Sequence, residues 1–215
     1  MSSAGSRRLT ADHRREQLLE IGRNLFASGR YAEVSVDDIA RAAGISKGLL
    51  YHYFGSKEEF FLCRFRESAL ELLAACDTDP DRPYSEQITA LIKGYLDFVY
   101  NHSVLYFNLF RDDVASRPGF AEVVNQTRGA LVERFLAGLP PCVYTPAARL
   151  ALKGYFRFAE AVILYWLEKR PVGRPVLERL LVSALVNTLL TGLSVDLGEE
   201  EVLLRQLKLE TDSLR

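Results

Sequence analysis

Within eleven residues the chain sets Lys47, Tyr51, His52 and Lys57, two ammonium groups, a phenol and an imidazole, all able to donate hydrogen bonds to an anion. Ser46 stands just before Lys47 and Ser56 just before Lys57. A serine there can cap a helix by accepting from the backbone N–H three residues on. The helix that Ser46 would open carries Lys47 and Gly48 in its first turn and no acid, so its partial positive end is left for an anion such as phosphate. Lys57 would open the next helix, where the S-x-x-E spacing of Ser56 and Glu59 makes a capping box. There the Lys57 ammonium and the amides of the first turn could grip one phosphate together.

These groups need a scaffold that turns them outward, and the preceding residues supply one. Ser35 and Asp38 have capping-box spacing, which predicts a helix from Val36 with Val36, Ile39, Ala40 and Ala43 on its apolar stripe and Asp37, Asp38 and Arg41 outside it. Gly44 can take the left-handed conformation that ends such a helix, giving a turn at Ala43-Gly44-Ile45. In the second helix Leu50, Tyr53 and Phe54 continue the stripe begun by Ile45, leaving Lys47, Gly48, Leu49, Tyr51 and His52 as an outer row. Upstream, Thr10 can cap a helix carrying Leu18, Leu19, Ile21, Leu25 and Phe26 and ending at Gly29; its polar side holds Arg14, Arg15 and Arg23, which could brush a nucleic-acid backbone or lie solvated. Two short helices about a glycine turn over a third form a unit that presents one helix to a DNA groove.

The string IARAAGISKGLLYHYFGSKEEF resembles the signature of the tetracycline-repressor (TetR) family of bacterial transcriptional regulators. The resemblance covers about the first third of the chain. It implies that the helix from Ser46 to Tyr53 enters the major groove, that Tyr51 and Lys57 hold phosphates, and that Lys47, Gly48, Leu49 and His52 approach bases or backbone. The caps Ser35 and Ser46 complete this set of candidate DNA-binding residues. Leu49 departs from the small or hydroxylated residue usual at its position, which suggests contact with a thymine methyl in place of a hydrogen bond.

Charge follows the same division. Residues 1–66 hold 11 Lys+Arg against 8 Asp+Glu, while residues 67–215 hold 16 against 20, so only the N-terminal part has the sign a polyanion attracts. The three cysteines, Cys63, Cys76 and Cys142, show no C-x-x-C spacing and read as packing residues in a reducing compartment. His13, His52 and His102 form no metal-ligand pattern, and no nucleophile-elbow, dinucleotide or P-loop motif occurs, so neither metal, cofactor nor catalysis is expected. No signal peptide is evident at the start, and the longest uncharged stretch, Leu180 to Val195, is short of a bilayer span, which leads to the expectation of a cytoplasmic protein with no membrane partner.

The fold expected is all-α: a leader over 1–10, a helix-turn-helix domain over 11–71 with its motif at 34–53, and a helical effector-binding and dimerisation domain over 72–215. The proline cluster TDPDRP at 78–83 breaks a long helix that starts at Ser56. Beyond it, helical segments run Ser85 to Asn101, Val104 to Arg111, Pro118 to Ala137, Pro146 to Lys169 and Arg174 to Val195. The fourth is apolar on nearly all sides, with Leu152, Tyr155, Phe156, Ala159, Ile163 and Trp166 on one set of faces and Phe158, Val162 and Tyr165 on another. Such a helix needs two neighbours, which could be the interior of its own subunit and the matching helix of a second copy, or could both belong to one chain's core; the first is the expectation, a homodimer with a four-helix interface where Ser183, Ala184, Asn187 and Gly192 allow close approach. The aromatic residues of this part suggest a largely hydrophobic effector cavity lined by some of Phe98, Phe107, Phe110, Leu131, Phe135, Tyr155, Phe158 and Glu160, although any single ring could serve packing alone.

The function expected is that of a homodimeric repressor, released from a palindromic double-stranded DNA operator by a small hydrophobic effector. The alternatives are an activator with the same head, or an all-α carrier or enzyme for a lipid-like molecule. The last would need an acid–base pair, and the sequence offers Glu160 and His102 no visible partner.

Overall fold

The computed structural model describes residues 11–28, 33–111, 114–137 and 145–196, except for the side chains at 11–12, 26–28 and 193–196. The Thr10 cap, the Gly29 stop, the leader, Phe26, Cys142 and the segment from Gly198 onward lie outside the described residues. Among those described, the secondary structure is entirely helical: α1 (Ala11–Ser28), α2 (Val36–Ala42), α3 (Lys47–Phe54), α4 (Lys57–Ala75), α5 (Tyr84–Asn101), α6 (Ser103–Phe110), a 3₁₀ turn (Val114–Ser116), α7 (Pro118–Ala137), α8 (Pro146–Lys169) and α9 (Arg174–Asp196). The chain divides into two compact units, residues 1–68 and 69–215, with the division falling inside α4.

The first unit closes over Leu18 and Leu19 of α1, Ile39 and Ala40 of α2, Leu50 and Phe54 of α3, and Phe60, Phe61 and Phe65 of α4, all buried. Each of the leucine, isoleucine and phenylalanine side chains contributes roughly 1.5–3 kcal/mol by leaving water. Arg15, expected on the polar side of α1, turns inward instead. Its Nη2 donates to Cys63 Sγ at 2.9 Å, and its guanidinium lies 5.2 Å from the centre of the Phe54 ring. The aliphatic stem and planar head let an arginine cover a hydrophobic edge in this way.

In the second unit, α8 and α9 pack as a pair against α5, α6 and α7 around a core that includes Leu91, Tyr95, Leu131, Leu152, Ile163, Trp166 and Leu185. Thr145 caps α8 by accepting from the Ala148 N–H at 3.1 Å, with Pro146 in the first turn where its missing donor is harmless. The proline-rich break before α5 is fastened by Gln87, whose buried amide donates to the carbonyls of Arg82 (2.7 Å) and Pro80 (3.3 Å). Arg174 at the start of α9 donates to Asp97 of α5 at 2.6 Å and to Glu178 at 2.8 Å.

Two glycines permit close approaches. A methyl on Gly94 of α5 would stand 1.8 Å from the Ala75 carbonyl oxygen, so the end of α4 rests directly on that backbone. A methyl on Gly192 would stand 3.0 Å from Ala148 Cα and 3.2 Å from Ala151 Cβ. The close approach expected of Gly192 between two subunits is therefore made within one chain, against α8.

The two sets of faces on α8 separate except at Val162, which is part-buried against the core. Leu152, Tyr155, Phe156, Ala159, Ile163 and Trp166 are buried, whereas Phe158 and Tyr165 remain 45% and 57% exposed. With Leu150, Gly154 and Ala161 they form one exposed stripe, and α9 shows another at Val176, Leu180, Ser183, Asn187 and Thr191.

Candidate nucleic-acid interface

The local structure of the first unit follows from its caps. The Ser35 hydroxyl oxygen accepts from the Asp38 N–H (3.1 Å), and the Asp38 carboxylate accepts from the Ser35 N–H (3.0 Å) and hydroxyl (2.5 Å). The same donors hold the Asp38 carboxyl below its ordinary pKa, the Ser35 hydroxyl first. At the other end of α2 the Ile45 N–H donates to the Ala40 carbonyl and the Gly44 N–H to the Arg41 carbonyl. This Schellman closure requires the positive φ of 62° that Gly44 adopts.

Ser46 then caps α3, accepting from the Leu49 N–H at 3.2 Å. The cap fixes the direction of the helix, and Leu50 and Phe54 anchor it by burial. Ser46, Lys47, Gly48, Leu49, Tyr51 and His52 consequently share one exposed row, with Tyr51 46% exposed. Nothing inside the unit demands glycine at 48, since an added methyl would meet no atom nearer than Ser46 Oγ at 3.9 Å. Gly55, with φ 70°, reverses the chain into α4.

Ser35, at the start of α2, is exposed as well, and Lys57 sits part-buried at the first position of α4. The capping box expected at Ser56 is half formed. Its hydroxyl accepts from the Glu59 N–H (3.0 Å), but its own N–H donates to the Phe54 carbonyl (2.7 Å), because the tight turn after α3 brings that oxygen closer. One partner was not legible in the sequence: Asp37 of α2 reaches the Lys47 ammonium across the glycine turn, Oδ1 to Nζ 2.6 Å. Helical periodicity places Asp37 outside the apolar stripe and is silent on which neighbouring element it faces.

The candidate effector residues fall into three situations. Leu131, Phe135 and Tyr155 are buried, and the Tyr155 hydroxyl donates to the Leu181 carbonyl at 2.9 Å. Phe98, Phe107 and Phe110 are part-buried, with Phe98 stacked on His102 at 4.4 Å. Phe158 is on the exposed stripe of α8. Glu160, buried, is clasped by Arg128 of α7, whose Nε and Nη2 each donate to it at 2.6 Å. Tyr106 donates to the Glu160 carbonyl at 3.3 Å and packs on Phe110 at 4.7 Å. Burial holds the Tyr95 and Tyr106 phenols far above their ordinary pKa, so both stay neutral. The partners that the sequence did not reveal are thus Arg128 for Glu160 and, at 3.9 Å, Glu71 for His102. Among the described residues no group of three or more His, Cys, Asp or Glu is placed to hold a metal ion.

The sequence pattern described as "Bacterial regulatory proteins, tetR family" matches residues 18–62, and that of the "Tetracyclin repressor-like, C-terminal domain" matches residues 84–188. The chain belongs to the TetR family. It is accordingly a DNA-binding transcriptional regulator of helix-turn-helix type and not an enzyme. Among TetR-family relatives, the HTH-type transcriptional activator FasR of Mycolicibacterium smegmatis is 28% identical over 174 residues, covering 78% of each chain. An uncharacterized HTH-type transcriptional regulator of Bacillus subtilis, YwcC, is 25% identical over 83% of this chain and 73% of its own. A TetR-family transcriptional regulator from Streptomyces coelicolor superposes with a TM-score of 0.81 at 26% identity, covering 94% of this chain and 91% of the other. Among the described residues no helix is long and apolar enough to cross a membrane.

Proposed function

We propose that this TetR-family regulator acts as a homodimer whose two copies of α3 enter successive major grooves of a near-palindromic operator, and that a small hydrophobic effector in the second unit releases it. The observation that carries the reading is the exposed row from Ser46 to His52, set on a capped, acid-free helix start and anchored from behind by Leu50 and Phe54. In this reading Tyr51 and Lys57 hold phosphates, Ser35 and Ser46 aim the two helix starts, and Lys47, Gly48, Leu49 and His52 meet bases or the adjacent backbone. The exposed stripes of α8 and α9 are the surfaces a second copy would cover, and pairing supplies the two half-sites that one short helix cannot. The effector is read as lying among part of the set Phe98, Phe107, Phe110, Leu131, Phe135, Tyr155, Phe158 and Glu160, with the Arg128–Glu160 clasp and the tyrosine hydroxyls as its polar end. Its binding would shift the spacing of the two heads through α4, the helix that runs through both units.

The test is a mobility-shift titration over a salt series, using duplex DNA from upstream of the gene. Lys57→Ala and Tyr51→Ala should both weaken binding to every sequence, and Lys57→Ala should also flatten the salt slope by about 0.9 per copy of the chain, because only the lysine is a cation whose phosphate contact releases a counterion. An unchanged slope for Lys57→Ala would overturn its phosphate role, unchanged affinity for Tyr51→Ala would overturn that of Tyr51, and no binding at low salt would overturn the reading as a whole. A second reading, transcriptional activation with the same head, is favoured by the name of the M. smegmatis relative. Reporter output from the regulated promoter after deletion of the gene separates the two: it rises for a repressor and falls for an activator.

A further inference from the structure

The two acids that open α2 are engaged differently. Asp38 is consumed by its own helix, through Ser35 and through Arg41 at 3.2 Å. Asp37 instead crosses the turn to Lys47, 2.6 Å away, and both side chains of that pair are about half exposed. The ammonium it holds is the first charged side chain of the exposed row, at a helix start that itself carries no acid. Sequence-independent attraction to duplex DNA is almost entirely a count of unmasked cations, and residues 1–66 have an excess of only three. That excess already counts Asp37 among the eight acids and would be four without it, so this one acid offsets a sizeable fraction of what attracts the unit to arbitrary DNA. An exposed ion pair is nevertheless weak, and opens when a better-placed acceptor is offered.

We infer that Asp37 is a specificity-determining residue, holding Lys47 against α2 so that its charge contributes to binding only where the duplex presents a matched acceptor. On arbitrary DNA the pair stays closed and Lys47 neutralises no phosphate. On the operator, where the rest of the row is seated, Lys47 leaves Asp37 for a fixed acceptor. The acid thus lowers non-specific affinity more than specific affinity, and it is the ratio of the two that lets a regulator find its site. The inference rests on the DNA-binding reading above.

The experiment compares the full-length protein with Asp37→Asn, Lys47→Gln and the double variant, on an operator selected from a random duplex pool and on a scrambled duplex of the same length. Asp37→Asn leaves the Ser35–Asp38 cap untouched, so the unit should fold as before. It should raise affinity for the scrambled duplex several-fold, steepen that salt slope by about 0.9 for each copy of the chain on the duplex, and change operator binding less, so that the specificity ratio falls. In the Lys47→Gln background the same substitution should do much less, which a generally repulsive acid would not show. An unchanged ratio, or an equal effect with and without Lys47, would overturn the inference. Failure of the wild-type protein to select any duplex would overturn the DNA-binding reading instead, a different outcome in the same assay.

Discussion

Single residues on α3 answer to two different demands, and Gly48 separates them. It has no packing duty inside the unit, and its φ is not of the kind only glycine tolerates. Gly48→Ala should therefore leave thermal stability unchanged or raise it by up to about 1 kcal/mol, because alanine favours helix. The same methyl stands in the exposed row and should reduce operator affinity; calorimetry and a binding titration on one sample check both halves. Asp38 answers to the fold. Its carboxyl is held below the ordinary 3.8, so the stability it contributes is present above that value and lost as pH falls through the lower folded value. Melting temperature against pH should thus show an acid limb that Asp38→Asn flattens, whereas a limb unaltered by that change would remove Asp38 from the cause.

At the scale of elements, the sequence was legible where a boundary is written locally. The ends of α7 and α8 coincide with the helical segments read from Pro118 to Ala137 and Pro146 to Lys169, since a proline can open a helix and cannot continue one. The α2 and α3 caps were equally plain, because Ser35, Gly44 and Ser46 act on backbone groups within a few residues. Contacts between elements were not legible. Periodicity shows which side of α5 is buried but not that Gly94 lies under the Ala75 carbonyl, and it shows Glu160 on an inward face but not Arg128 opposite. Gly94→Ala should cost about 1–3 kcal/mol or more, since the neighbour to be displaced is backbone and not the end of a flexible side chain. A midpoint in denaturant equal to that of the wild type would contradict the close approach.

For the molecule as a whole, the sequence shows α8 apolar on nearly all sides, and the structure shows which of those residues a single chain leaves exposed. Tyr165 on α8 and Leu180 on α9 stand on the exposed stripes, clear of the core. Tyr165→Lys combined with Leu180→Glu should leave the single chain folded, because neither side chain is buried in it, and should shift the mass seen by light scattering from two chains to one. Operator affinity should drop with it, to about that of a single head. A variant that stays dimeric with both changes would move the interface elsewhere.

Trp166 is the one indole in the chain, and it is held where α8 gives way to α9: its Nε1 donates to the Val172 carbonyl at 2.9 Å, and the Arg170 guanidinium lies 3.7 Å from its ring centre. Intrinsic fluorescence excited at the red edge of the protein band therefore comes from a single fluorophore with a cation on its face. Emission from this protein is an optical gauge of the second unit alone, so a titrant that alters it has either bound the body or changed it from α3, and one that binds α3 without a response in the body goes unseen.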